Sequence, residues 1–330
     1  MSDKFNFVLT EDIYITAKFR EPMMFDNLRF ESVPHFFPES RGQWNIMCFT
    51  KDDKYLIYTI NVDPYIRFIN LETFEYEDII TDIPASAPNS ACTISPDGKL
   101  LLVNNRLYNT SDWSLIKVLD SYTWITIPKF SPDSTRLAFC NQTNTNFYII
   151  DIETESIFMI NNYTSGGREP RFDFSPNGLY LGYMHHFQHT SAPHTRGILR
   201  IYDYNSGSIL FDEWTSTSYN VGVKFSNDSS KLFVSNISAL LSDTSAVYDM
   251  SNFSRTNIFG SFISNSNNII ECTHNGKSLI VGTRPIQMLD LDTLEYSNKM
   301  EVNTNPQCIK LSNNGKFLAI GLGDRVIIVR

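Results

Sequence analysis

Apolar and polar positions along the chain do not follow a helical period. Short runs such as Phe147 to Asp151 (FYIID), Leu199 to Asp203 (LRIYD) and Lys231 to Asn236 (KLFVSN) instead alternate, or concentrate β-branched and aromatic residues, as strands do. Polar clusters rich in Asn, Asp, Ser and Gly separate these runs and read as turns. The pattern predicts a chain that is nearly all β.

The runs are organised by a repeat: an apolar residue, Ser or Thr, any residue, Asp or Asn, a turn residue, two more positions and a second apolar residue. It occurs as FTKDDKYL (Phe49 to Leu56), ISPDGKLL (Ile94 to Leu101), FSPDSTRL (Phe130 to Leu137), FSPNGLYL (Phe174 to Leu181), FSNDSSKL (Phe225 to Leu232), CTHNGKSL (Cys272 to Leu279) and LSNNGKFL (Leu311 to Leu318). The seven copies recur with a mean period of about 44 residues, the length of a four-stranded propeller blade. Pro presets the first turn angle, Asp or Asn bonds the local backbone, and Gly accepts a positive φ, so the motif predicts a tight hairpin between strands A and B.

A second landmark, the Asp or Asn that ends strand C, stands at Asn70, Asn109, Asp151, Asp203, Asp249 and Asp290. From each landmark to the next motif the distance is 24, 21, 23, 22, 23 and 21 residues, whereas from motif to landmark it is 14, 8, 14, 22, 17 and 11. Length variation is thereby confined to the B–C loop. In period and in its SPDG-like turn the chain resembles the WD40-type family of seven-bladed propellers, from about Asp26 to Arg330, although Tyr202-Asp203 and Tyr248-Asp249 stand where that family has Trp-Asp. TolB-like propellers share the same turn.

The expected architecture is a seven-bladed β-propeller of four-stranded antiparallel blades over residues 26–330, preceded by an N-terminal extension or added hairpin over 1–25. Arg330 falls in strand C of the last copy, so Leu28 to Val33 are expected to supply the missing outer strand and close the ring.

Composition narrows the function. With 27 Lys+Arg against 36 Asp+Glu the formal charge is −9, the opposite of the basic face a nucleic-acid binder requires. No apolar run approaches a membrane span, and Met1 to Thr10 lack a signal-peptide core, so neither nucleic acid nor membrane insertion is expected and the predicted location is cytoplasmic. The five cysteines are widely spaced without a CxxC pair and read as buried thiols in a reducing compartment.

Candidate partner-binding residues gather on one sector. The resemblance implies that B–C and D–A loops share the binding face. The D–A loops leading into blades three to five carry Tyr122 and Trp124, then Tyr163, Arg168 and Glu169, then Trp214 and Tyr219, residue types that dominate interface energetics. The long B–C loop of blade four carries His185, His186, His189 and His194; with no acid or Cys beside them and with His185 and His186 on opposite sides of a strand, a polar contact or a solvated loop is favoured over a metal site.

One further pattern lies just before each motif: Cys48, Thr93, Lys129, Asp173, Lys224, Glu271 and Lys310. Strand A is innermost in a blade, so the last five should form a structural ring of alternating charge around the axis. With no G-x-S-x-G, P-loop or HExxH pattern, the expected function is a non-enzymatic platform for one or more protein partners, without cofactor or metal, within a larger assembly. A propeller hydrolase or lactonase and a structural-shell component are the alternatives.

Overall fold

The computed structural model describes residues 45–60, 66–80, 91–122, 125–141, 146–162, 170–187, 195–217, 222–238, 244–259, 270–282, 285–300, 302, 306–322 and 326–329. These residues form seven antiparallel sheets in which consecutive strands are neighbours, and none is helical. Blade one holds β1 (Asn45–Phe49), β2 (Tyr55–Ile60), β3 (Ile66–Asn70) and β4 (Tyr76–Ile80). In blade two are β5 (Cys92–Ile94), β6 (Leu100–Val103), β7 (Arg106–Asn109) and β8 (Leu115–Val118), and in blade three β9 (Ile125–Phe130), β10 (Arg136–Asn141), β11 (Asn146–Asp151) and β12 (Ile157–Asn162). Blade four has β13 (Arg171–Phe174) and the long strands β14 (Tyr180–Phe187), β15 (Thr195–Asp203) and β16 (Ile209–Thr217). Blade five contains β17 (Val223–Phe225), β18 (Lys231–Ser238), β19 (Thr244–Asp249) and β20 (Arg255–Phe259); blade six, β21 (Ile270–Cys272), β22 (Ser278–Val281), β23 (Ile286–Asp290) and β24 (Tyr296–Met300). Among the described residues blade seven has three strands, β25 (Cys308–Leu311), β26 (Leu318–Gly321) and β27 (Val326–Val329). The first strands of the blades are innermost, and β25 lies beside β1, so the seven sheets close into a propeller. Residues 1–25 and Leu28 to Val33 lie outside the described residues. No helix among those described is long and apolar enough to cross a membrane.

The A–B turn explains the motif position by position. In all seven copies the Ser or Thr hydroxyl is buried, donates to the Asp or Asn two residues on at 2.5–2.9 Å, and accepts the backbone N–H five residues on. The fifth position has positive φ every time: Asp53, Gly98, Ser134, Gly178, Ser229, Gly276 and Gly315. Glycine is required where the preceding blade presses closest, since a Cβ on Gly98 would lie 2.5 Å from the Cβ of Lys51 and one on Gly315 2.6 Å from the His274 ring. Where the residue is not glycine, its side chain binds the preceding blade. Ser134 accepts from Asp97 N, Ser229 from Asn177 N, and Asp53 from both Asn313 N and Asn314 N. The last of these joins blade seven to blade one.

The C–D turns use a second left-handed residue, four positions after each landmark: Phe74, Trp113, Glu155, Gly207, Phe253 and Leu294. Each faces the blade before it. Phe74 meets Phe317, Trp113 meets Phe68 at 4.8 Å, and Phe253 stacks on Phe211. Glu155 pairs with Lys117 at 3.2 Å, Gly207 makes room for Met159, and Leu294 joins a cluster with Phe233.

The apolar core lies between blades rather than at the axis. Seven clusters each bridge two consecutive blades. One of them packs Met47, Phe49, Leu56 and Tyr58 of blade one against Cys308, Ala319, Val326 and Ile328 of blade seven. All five cysteines are free thiols and buried.

Candidate functional site

The innermost strands place one residue per blade at an equivalent register: Cys48 opposite Ile57, Thr93 opposite Leu102, Lys129 opposite Ala138, Asp173 opposite Gly182, Lys224 opposite Phe233, Glu271 opposite Ile280 and Lys310 opposite Ala319. Lys129 Nζ lies 2.6 Å from Asp173 Oδ1, and Glu271 takes Lys224 at 3.3 Å on one carboxylate oxygen and Lys310 at 2.5 Å on the other. The second oxygen of Asp173 accepts the backbone N–H of Phe225 at 2.9 Å, tying blade four to blade five. On the uncharged side, Cys48 and Cys92 bring their sulfur atoms to 3.7 Å.

Each ionisation follows from its neighbours. Burial opposes the charge of Glu271, but Lys224 and Lys310 outweigh it and draw the carboxyl down to about 2. Asp173 is likewise held below the ordinary range, because Lys129 and Lys224 together exceed the cost of its burial. Against the same cost, Lys224 and Lys310 are raised, chiefly by Glu271. Of the three lysines Lys129 is lowered: burial outweighs the pull of Asp173, and Lys224 and Lys310 add repulsion. The lysine side chains are 28%, 21% and 34% exposed at positions 129, 224 and 310 against 11% for both acids, so the carboxylates are the more deeply buried partners.

The strand carrying Lys129 is irregular. Ile127 has φ of 52°, followed by Pro128, and the β9–β10 register shifts between Ala138 and Cys140. Pro lacks a ladder donor and a β-branched residue is strained in this conformation. A bulge of this kind re-aims the side chains beside it.

Of the partner-binding residues expected on the blade three to five sector, Tyr122, His185, His186 and Trp214 are among the described residues. Tyr122 is buried, its ring 5.0 Å from Phe139 and 5.1 Å from Tyr148. It lies in the apolar cluster of the seam between blades two and three. His185 and His186 belong to β14 and not to a loop, because β15 continues the ladder opposite them at Ile198 and Gly197. His185 is buried beside Tyr183, and burial, with a smaller contribution from Arg200, pushes it down to about 4. Trp214 lies on β16 opposite Ile198, not in a D–A loop, and is 62% exposed. Trp124, Tyr163, Arg168, Glu169, His189, His194 and Tyr219 lie outside the described residues.

His185 also makes a testable pH contribution. A histidine that titrates near 4 in the folded chain and near 6.5 when unfolded stabilises the fold fully above pH 6.5, and this contribution is lost as pH falls toward 4. Replacing His185 by Phe should flatten stability over that interval, as measured by urea unfolding at stepped pH. An unchanged slope would show that His185 charges in place.

Sequence reasoning missed the inter-blade role of the C–D turn residue. Its signal was present, since Phe74, Trp113, Phe253 and Leu294 share one offset from the landmark, where a solvated turn has no use for large apolar side chains. Asp53, the only acid at the fifth motif position, likewise marked the place where the ring closes.

By fold, therefore, the protein is a seven-bladed β-propeller. No family model matches the chain, and no curated protein matches it in sequence. Among solved structures it is similar to Kuenenia stuttgartiensis hydrazine synthase, with a TM-score of 0.68 and 16% identity over 90% of this chain and 97% of that one. In all, 1242 solved chains match it in structure, and a fold by itself ties a chain to no single chemistry.

Proposed function

We propose that the protein is a non-enzymatic interaction platform and a subunit of a larger protein assembly, with its SPDG-like turns favouring kinship to WD40-type propellers. The observation that supports this reading is Trp214 at 62% exposure on β16, the outer strand of the blade with the longest strands. Ile209 and Leu210, 50% and 43% exposed, stand on the same strand. Next to Trp214, Glu213 accepts from Tyr248 at 3.0 Å and pairs with Arg255 of blade five, so the strand is held before a partner arrives and little ordering entropy remains to be lost. An exposed tryptophan on a strand held in place is the residue type that anchors interfaces.

Trp214→Ala should weaken capture of a stoichiometric partner by about 1–3 kcal/mol while leaving the melting temperature unchanged. Affinity purification with mass spectrometry, followed by titration of the recovered partner, measures this. If Trp214→Ala binds normally while an A–B turn substitution such as Lys51→Glu abolishes binding, the opposite face is the functional one.

A further inference from the structure

Around the axis the charges at the equivalent register run Lys129, Asp173, Lys224, Glu271, Lys310, and then two uncharged positions, Cys48 and Thr93, lead back to Lys129. Three ammonium groups face two carboxylates, leaving one positive charge in excess. The excess is not spread evenly. Glu271 is shared between Lys224 and Lys310, whereas among the described residues Lys129 forms its ion pair with Asp173. Lys129 and Lys310 thus flank the uncharged arc with no carboxylate at the equivalent register between them among the described residues, and Lys129 senses the charge of Lys310. All three lysine side chains are partly exposed, by 21–34%. Independently, the backbone is strained beside one of the two flanking residues, at Ile127, two residues before Lys129. Such strain collects where a side chain must be aimed.

We propose that the axial channel binds a small oxyanion, of the carboxylate or phosphate class, in the arc between Lys310 and Lys129 beside Thr93. The anion completes the alternation that the chain leaves open there, giving each flanking lysine a second negative neighbour. Lys129, whose charge burial disfavours more than Asp173 offsets, gains most. The site is distinct from the β16 surface and does not depend on the platform reading.

The test is calorimetric titration of the full chain with inorganic phosphate and, separately, with acetate, alongside melting temperature at constant ionic strength. Saturable binding of at least one probe is expected, with a matching rise in melting temperature. Lys129→Met should weaken it at least tenfold. Thr93→Asp, which places a fixed carboxylate in the arc, should abolish binding and raise the melting temperature of the anion-free protein. Lys316→Met, at an exposed A–B turn, should change neither. No saturable binding of either probe to the wild-type chain would overturn the proposal, as would binding that persists undiminished in Thr93→Asp. Should Lys129→Met fail to fold, Lys310→Met tests the other flank with the same expected loss.

Discussion

Replacing Glu271 by lysine should destabilise the ring by about 3 kcal/mol and lower its melting temperature by roughly 5 °C. The carboxylate holds two ammonium groups, and the substitution sets three like charges side by side in the wall of a narrow channel. Because the lysine side chains are partly exposed, screening keeps the loss at the lower end of what breaking a buried pair costs. Glu271→Gln separates charge from shape. The folded carboxyl titrates near 2 against 4.5 unfolded, so its contribution is complete above pH 4.5 and disappears as pH falls toward 2. The glutamine variant should lose that part of the acid limb and keep the part between pH 4 and 6.5 that belongs to His185. Unfolding midpoints measured from pH 2 to pH 7 distinguish the two, and an unaltered acid limb would remove Glu271 from the account.

Asp53→Ala should cost about 3 kcal/mol, with Asp53→Gly about 2. Asp53 is buried and accepts two backbone N–H groups and the Asn313 amide across the seam where the ends of the ring meet. Both variants strand those donors. Alanine alone must also hold a Cβ at φ of 54°, which accounts for the difference. Denaturant unfolding reads both. A glycine variant as stable as the wild type would leave closure to the apolar cluster of Met47, Tyr58, Cys308 and Val326.

How much of this was legible in the sequence depends on where each feature takes its geometry. The A–B hairpin is written locally: Ser95, Asp97 and Gly98 bond each other and their own backbone, so eight letters suffice to recognise it. The partners in the axial ion pairs stand one residue before that hairpin in each copy, and their adjacency follows from the repeat. Strand length does not. Whether the chain after Tyr183 continues as strand through His185 and His186 is decided by pairing with Gly197 and Ile198, which no local pattern announces. For the same reason Trp214 could be placed near the right blade but assigned to a loop. Tyr122 illustrates another gap: a tyrosine at a blade corner either faces solvent or fills the seam, and only the positions of Phe139 and Tyr148 settle which.

The C–D turns have a consequence for how the molecule comes apart. Every docking residue, from Phe74 to Leu294, reaches toward the blade before it, and at the seam Phe74 reaches to Phe317. In a linear stack of repeats the terminal units have one neighbour and fray first. A closed ring, with six such like-directed contacts described and seven inter-blade clusters, has no such terminus, so releasing any single blade severs two interfaces at once and weakens both adjoining blades. Partial opening is thereby penalised twice over, and the energy landscape favours concerted loss of all seven blades over stepwise peeling.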